Sequence, residues 1–96
     1  MAFIQIIDMR TTKIEELQQL ETEWEAATEG RRTLRRSIIA QDRNDPDRHL
    51  ILAFFDSYEA AMENSSLPET QAFADKQAPL LKGAPTFIDL DIIEER

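Results

Sequence analysis

Six apolar residues follow one another from Leu50 to Phe55 (LILAFF), and this run limits the possible folds more than any other feature of the chain. The turn-forming sequence RNDPDR precedes it and Asp56-Ser57 follows it, so the run is too short for a buried helix. We therefore predict a strand over 49–55. Because successive side chains of a strand point to opposite faces of a sheet, both faces of this strand are apolar. The chain must form a sheet that is covered on both sides.

Three further segments have strand character: FIQIIDM (3–9), TLRRSIIAQD (33–42) and PTFIDLDII (85–93). They are short and rich in β-branched residues. Adjacent isoleucines in the second of them, Ile38 and Ile39, must face opposite ways, as must apolar neighbours in the first. Apolar side chains on both faces are thus a property of several strands of the predicted sheet.

The first helix is predicted over 12–29. Thr12-x-x-Glu15 has the form of a capping box, and Gly30 is a natural stop. Apolar residues recur along it at helical spacing: Ile14, Leu17, Leu20, Trp24 and Ala27.

A second helical region follows the apolar strand in two pieces separated by SSLP. Each piece has a capping pattern at its start, Asp56-x-x-Glu59 and Ser66-x-x-Glu69. Pro68 favours the first turn of the second piece, and Gly83 ends it.

The order of elements is therefore β-α-β-β-α-β over a single domain, 1–96. This order is typical of a ferredoxin-like α+β fold, in which two helices cover one face of a four-stranded antiparallel sheet. The helices leave the other apolar face in water, which monomers rarely tolerate over a large area. We therefore expect a homodimer in which two sheets face each other.

Composition excludes several classes of protein. Nineteen acidic and eleven basic residues give a net charge of −8, which argues against nucleic-acid binding. There is no cysteine, no apolar run long enough to span a membrane and no signal-peptide pattern, so a cytoplasmic protein is expected. The sequence DRNDPD (42–47) lacks the spacing of a calcium loop, and no metal site is predicted.

The stretch HLILAFFDSYEAAMENSSLPETQAFADK has a strand ending in aromatic residues, Asp-Ser at a helix start and a broken helix. In this layout the chain resembles the dimeric α+β barrel superfamily, and within it the antibiotic-biosynthesis-monooxygenase-like domains. The resemblance covers essentially the whole chain. It implies a ligand cavity between sheet and helices, and relatives that include cofactor-independent monooxygenases of polycyclic aromatic compounds and haem-degrading oxygenases.

The sequence departs from the haem-degrading relatives. The resemblance implies that those relatives bind the haem iron through a histidine in the second helical region. PETQAFADKQAPL contains none. The first strand has Gln5 and Asp8 where those relatives place an asparagine, and the third strand ends in Phe54 and Phe55 rather than a tryptophan. Haem degradation is disfavoured, and haem binding through His49 is left as a weaker option.

Two residues are candidates for binding a ligand. Trp24 lies on the apolar face of the first helix, where it is either a core anchor or a cavity wall that stacks on an aromatic ligand. Asn64 lies at the break of the second helical region. It is either a helix C-cap or part of a segment over the cavity entrance.

Three residues are candidates for chemistry. His49 is either a solvent-facing strand residue or a general base. Tyr58 is either a packing residue with a solvated hydroxyl or a group that orients a substrate. In RRTLRR (31–36) strand alternation divides the arginines between two faces, which favours charge pairing, while Arg36 or Arg35 pointing inward would bind a carboxylate or phenolate.

The leading hypothesis is an oxygenase-like dimer, without cofactor, that binds a small aromatic or lipophilic molecule. The alternative is a ligand-binding or sensing module without catalysis on the same scaffold. No cluster of catalytic residues in the sequence decides between them.

Overall fold

The four strands form one antiparallel sheet in the order β2-β3-β1-β4, with the helices on one face, in a computed structural model that describes all residues 1–96. This is the predicted ferredoxin-like α+β arrangement, with the second helical region in two pieces. The elements are β1 (Phe3–Arg10), α1 (Ile14–Ala27), β2 (Arg36–Asp42), β3 (Asp45–Phe55), α2 (Tyr58–Ser65), α3 (Pro68–Gln77), a 3₁₀ turn (Ala78–Leu80) and β4 (Thr86–Asp91). No helix is both long enough and apolar enough to cross a bilayer.

The hairpin between β2 and β3 is tighter than the sequence predicts. Strand β3 begins at Asp45 rather than at residue 49, and only Arg43 and Asn44 form the turn. The Asp42 carboxylate accepts the Asn44 backbone N–H at 2.7 Å, which closes the turn locally. Pro46 is accommodated within β3 because the pairing with β2 is irregular there, so its missing N–H leaves no ladder bond unmade.

Strand β2 is shorter than predicted. It begins at Arg36 rather than at residue 33, because Thr33 bonds to α2 instead of to a strand. The Thr33 backbone N–H donates to Asn64 Oδ1 at 3.2 Å, and its hydroxyl donates to the Ala60 carbonyl. The predicted division of four arginines between two faces of a strand is therefore wrong, since only Arg36 lies in one.

The start of α1 uses a different threonine from the predicted one. Thr12 is exposed, and the helix begins at Ile14 without a side-chain cap from Lys13. The fully buried Thr11 hydroxyl accepts the Lys13 N–H at 2.9 Å and donates to the Leu80 carbonyl at 2.7 Å. A tertiary contact with the 3₁₀ turn thus replaces the local capping box.

Helix α2 is capped by Ser57, whose hydroxyl accepts the Ala60 N–H at 3.0 Å. The predicted cap, Asp56, instead forms an ion pair with Arg35 at 2.6 Å. Ser66 does not cap α3, because its hydroxyl donates to the Met62 carbonyl at 2.7 Å as the C-cap of α2. Pro68 opens α3 as predicted.

We expect Ser57→Ala to lower the free energy of unfolding by about 1 kcal/mol, the usual contribution of a serine N-cap. Ser66→Ala is the matched control and should cost less than about half of that, since its hydroxyl fills no helix-start N–H. Chemical denaturation of the three proteins measures both values. Equal losses in the two variants would contradict this assignment of the caps.

The core lies between the sheet and the helices in two clusters. One contains Phe3, Ala53, Phe55 and Ala61, and the other contains Met9, Leu17 and Ile51. These are the only seven buried apolar residues. A core of this size is modest for a 96-residue chain, so burial of more apolar surface against a partner would add to its stability.

The opposite face of the sheet, called the open face below, is covered by no element of the chain. Strand pairing brings together on it the side chains of Ile4, Ile6, Ile38, Leu50, Leu52, Phe54, Ile88 and Leu90. At one end Arg48 pairs with Asp8 at 2.8 Å and with Asp42 at 3.2 Å. The structure confirms strands that are apolar on both faces, and the facing dimer stays a prediction.

Candidate functional site

A cavity of about 400 Å³ lies between the helix side of the sheet and the helices. The sheet contributes its floor from β1, β2 and β3, while α1, α2, α3 and the segment before β2 contribute its walls. The apolar lining residues are Ile7, Trp24, Leu34, Ile51, Ala53, Phe55 and Phe73. The polar ones are Gln5, Glu21, Glu25, Arg32, Arg35, Arg36, Ser37, Asn64 and Ser65. The lining is thus mixed, with seven apolar and nine polar residues, and the combination of apolar surface with polar groups that orient a ligand is typical of small-molecule sites.

Trp24 joins two helices and also lines the cavity. Its indole Nε1 donates to the Thr70 hydroxyl at 2.9 Å, which ties α1 to α3. Its backbone carbonyl accepts the hydroxyl of the buried Thr28 at 2.7 Å. The side chain is half-buried and lines the cavity, so an aromatic surface is held in a fixed orientation there.

Asn64 lies inside α2 and not at its end, so the C-cap interpretation is wrong. The C-cap is Ser66. The Asn64 side chain is 7% exposed and lines the cavity. Its oxygen accepts the Thr33 N–H, and its amide nitrogen has no hydrogen-bond partner within the chain. That nitrogen is a donor available to a molecule in the cavity.

The three cavity arginines have separate surroundings. Arg32 donates to the Glu25 carbonyl at 2.7 Å and lies 3.9 Å from the Glu25 carboxylate. Arg35 makes two hydrogen bonds to Asp56, at 2.6 and 3.0 Å. The Arg36 guanidinium lies 5.5 Å from the centroid of the Phe54 ring, on the open face, so the expectation that Arg36 could point inward to bind an anion is wrong. Charge pairing within the chain accounts for Arg32 and Arg35.

His49 and Tyr58 lie away from the cavity. His49 is 4% exposed, so the expectation of a solvent-facing residue is wrong. Because β3 begins at Asp45, His49 is an interior strand residue with the same orientation as Ile51. Its Nδ1 lies 3.1 Å from the Asp47 carbonyl. Tyr58 opens α2, is 47% exposed and packs edge-on against Phe3 at 5.6 Å between ring centroids.

Glu21 is the cavity residue that the sequence analysis missed. It lies on α1 between Leu17, one turn before it, and Trp24, so a carboxylate interrupts the apolar stripe of the helix. That interruption is the signal that would have found it. Burial, together with the nearby Glu25 carboxylate, raises the pKa of Glu21 to about 6.

The raised pKa predicts a stability effect with a definite sign. Between the ordinary value of 4.5 and about 6 the folded protein holds the proton more tightly than the unfolded chain does. Stability from this group is therefore present below pH 4.5 and is lost as the pH rises through 6. For a half-buried carboxyl the loss is about 1 kcal/mol after solvent screening.

We expect Glu21→Gln to raise the free energy of unfolding by about 1 kcal/mol at pH 7.5 and to leave it unchanged near pH 4. Urea denaturation at the two pH values measures the difference. Glu23→Gln, on the exposed side of the same helix, is the control and should show no such pH dependence. A Glu21 variant that is equally stable relative to the parent at both pH values would refute the shift.

No family model matches the chain, and no curated protein sequence does. Solved structures do match. One from Caulobacter crescentus, described as a "putative antibiotic biosynthesis monooxygenase", is 14% identical over 97% of this chain and 91% of its own, with a TM-score of 0.82. A protein of the same description from Chloroflexus aurantiacus is 22% identical over 100% and 97%, with a TM-score of 0.76.

SnoaB, a cofactor-independent oxygenase from Streptomyces nogalater, is 9% identical over 98% of this chain and 95% of its own, with a TM-score of 0.81. At such identities a match establishes the fold and leaves the activity open. The likeness extends over nearly the full length of each protein. The chain therefore has the fold of the antibiotic-biosynthesis-monooxygenase-like proteins, as the resemblance in its sequence indicated.

Proposed function

We propose that the protein binds a small aromatic or lipophilic molecule in the cavity between sheet and helices and oxidises it without a cofactor. The observation that carries this proposal is the cavity itself, with the aromatic side chains of Trp24, Phe55 and Phe73 in its lining. Its volume of about 400 Å³ is in the range of small-molecule sites. The fold shared with SnoaB, a cofactor-independent oxygenase, supports the reaction class.

The working unit in this proposal is a homodimer in which the open faces of two chains meet. The open face carries eight large apolar side chains, with Ile88 and Leu90 still 43% and 42% exposed in one chain. Burial of such surface stabilises by roughly 25 cal/mol per Å². A second copy supplies a face of the same shape and apolar character, because two-fold symmetry pairs a patch with itself.

The chemistry that suits this cavity is oxidation of a phenolic ring to a quinone by molecular oxygen. One oxygen atom enters the ring, the other leaves as water, and the ring supplies all four electrons, so no reductant is needed. An electron-rich phenolate anion is the reactive form of such a substrate. In this proposal the apolar residues of the lining keep water from the ring, and the Asn64 amide nitrogen, which has no partner within the chain, donates to an oxygen of the bound anion.

The only tryptophan of the chain lines the cavity, so its fluorescence reports directly on binding. Titration with 1-naphthol and dihydroxynaphthalenes should change the emission of Trp24 with saturation. An oxygen electrode and quinone absorbance, recorded on the same samples, then report turnover. Absence of saturable binding across the panel would reject the proposed function altogether.

Two substitutions on β2 make a matched test of the place of binding. Ser37 is exposed and lines the cavity, so Ser37→Phe places a ring in the ligand space at small cost to the fold. Gln41 is exposed on the same face of β2 but lies outside the cavity. Ser37→Phe should weaken binding at least about tenfold by occlusion, and Gln41→Phe should not. Equal effects would place the ligand elsewhere.

A non-catalytic binding or sensing module is the second candidate. It is favoured by the cavity arginines Arg32 and Arg35, which are held by Glu25 and Asp56 rather than directed at a ligand. It is also favoured by the position of His49 and Tyr58 outside the cavity. Saturable binding without oxygen uptake by any bound compound would decide for this candidate.

A further inference from the structure

An acidic side chain without a partner lines the cavity next to its aromatic wall. Glu21 makes no hydrogen bond and no ion pair within the chain, although it is half-buried. It lies on the same side of α1 as Leu17, which is 1% exposed, and as Trp24. A carboxylate placed among apolar groups without a donor is unfavourable for folding alone.

The charged groups that face Glu21 leave it without a counter-ion. On its own helix Glu25 is also acidic and repels it. From the segment before β2, Arg32 is held by Glu25 and Arg35 is held by Asp56. Arg36 of β2 lies over a ring on the open face. The lining residues from β1, β3, α2 and α3 carry no charge. The group that completes Glu21 is therefore missing from the chain.

We propose that Glu21 is the group that recognises the ligand in this cavity, by accepting the proton of an acidic hydroxyl on an aromatic ring. This inference rests on the proposed function and names both its substrate class and its proton acceptor. In the transfer the aryl O–H bond breaks, a carboxyl O–H bond forms on Glu21, and the electron pair stays on the aryl oxygen. No oxidant or other reactant takes part in this step.

The surroundings of Glu21 suit it to this role and select the ligand. Burial raises its pKa to about 6, so it is a stronger base than an exposed carboxylate and is still mostly ionised at neutral pH. For each unit by which the pKa of the ligand hydroxyl exceeds the pKa of Glu21, the fraction of bound ligand that has given its proton to Glu21 falls about tenfold. Ring hydroxyls acidified by a conjugated carbonyl or nitro group should therefore give up their proton most completely, naphthols and simple phenols much less, and aliphatic alcohols not at all.

The experiment compares 4-nitrophenol with 4-nitroanisole, the same ring with the hydroxyl proton replaced by a methyl group. Binding is followed by Trp24 fluorescence in the parent protein, in Glu21→Gln and in Glu23→Gln as the exposed control on the same helix. A hydrogen bond to a charged group corresponds to a loss of about ten- to a hundredfold on removal. We expect Glu21→Gln to weaken 4-nitrophenol binding by this factor at pH 6.5 and to leave 4-nitroanisole binding unchanged.

The pH dependence is an independent readout. In the parent protein the affinity for 4-nitrophenol should decrease as the pH is lowered through about 6, where Glu21 takes up its proton. This acid limb should be absent in Glu21→Gln and present in Glu23→Gln.

The outcomes separate this inference from the proposed function on which it rests. If the parent protein binds both probes and Glu21→Gln weakens both equally, or neither, the inference is wrong and the proposed cavity function stands. If the parent protein binds neither probe nor any naphthol, the proposed function fails and this inference fails with it. Selective loss of 4-nitrophenol, with the acid limb, supports both.

Discussion

Leu52→Arg is expected to prevent the proposed facing dimer of two 11.1-kDa chains and to leave a monomer. Leu52 lies at the centre of the open face, paired with Ile6 on one side and Ile38 on the other. In a facing dimer each arginine would be placed without a partner in an apolar interface, and two-fold symmetry would bring two like charges together. Such a burial costs several kcal/mol, enough to prevent association at micromolar concentration.

The single chain should tolerate this substitution. Leu52 is only half-buried within one chain, so the arginine stem can lie along the sheet while its guanidinium reaches water. Light scattering gives the mass, and circular dichroism checks the fold. Gln18→Arg makes the same change of charge on the exposed side of α1 and should stay dimeric. A parent protein that is monomeric at every concentration would disprove the facing dimer.

Phe3→Ala is expected to lower the free energy of unfolding by about 3–5 kcal/mol. Phe3 is 2% exposed and belongs to the core cluster with Phe55 and Ala61. Its ring packs at 6.4 Å from that of Phe55 and edge-on against Tyr58. Truncation removes these contacts and leaves a void that the stiff, hydrogen-bonded strand β1 cannot close. For a domain with a total stability of about 5–15 kcal/mol the loss is severe.

Phe87→Ala is the matched control, since it removes the same atoms from the neighbouring strand β4. Phe87 is 57% exposed, so its truncation should cost less than about 1 kcal/mol. Denaturant unfolding at a fixed protein concentration measures both, because dimer dissociation would otherwise contribute to the apparent stability. Similar losses for the two variants would mean that the core is not where the two clusters place it.

The two effects link the fold to the function. The strand residues of one parity build the core and the cavity floor, and those of the other parity build the open face. Phe55 and Phe54 are neighbours in the chain, yet one lines the cavity and the other lies on the open face beneath Arg36. A dimer would therefore hold the sheet from behind and keep the cavity floor rigid for a ligand.

Periodicity and local composition were enough to predict most of the helices and strands. The run from Leu50 to Phe55, the helical stripe from Ile14 to Ala27 and Pro68 at a helix start each predict a single element, because their signals are local in the chain. Their order then determines the sheet topology, since few ways of connecting them avoid crossings. Trp24 and Asn64 were identified as candidates from their positions on these elements, and both line the cavity.

What required the tertiary structure were the partners of polar groups. Thr11 rather than Thr12 accepts a backbone N–H at the start of α1, because its hydroxyl also donates to the Leu80 carbonyl, which is distant in the sequence. Ser57 rather than Asp56 caps α2, because the Asp56 carboxylate accepts hydrogen bonds from Arg35. In the sequence Glu21 is one of several glutamates on an acidic helix, and only the packing of that helix against the sheet shows that it lines the cavity. Apolar burial is additive and periodic along the chain, whereas a hydrogen bond or an ion pair depends on which distant groups the fold brings within about 3 Å.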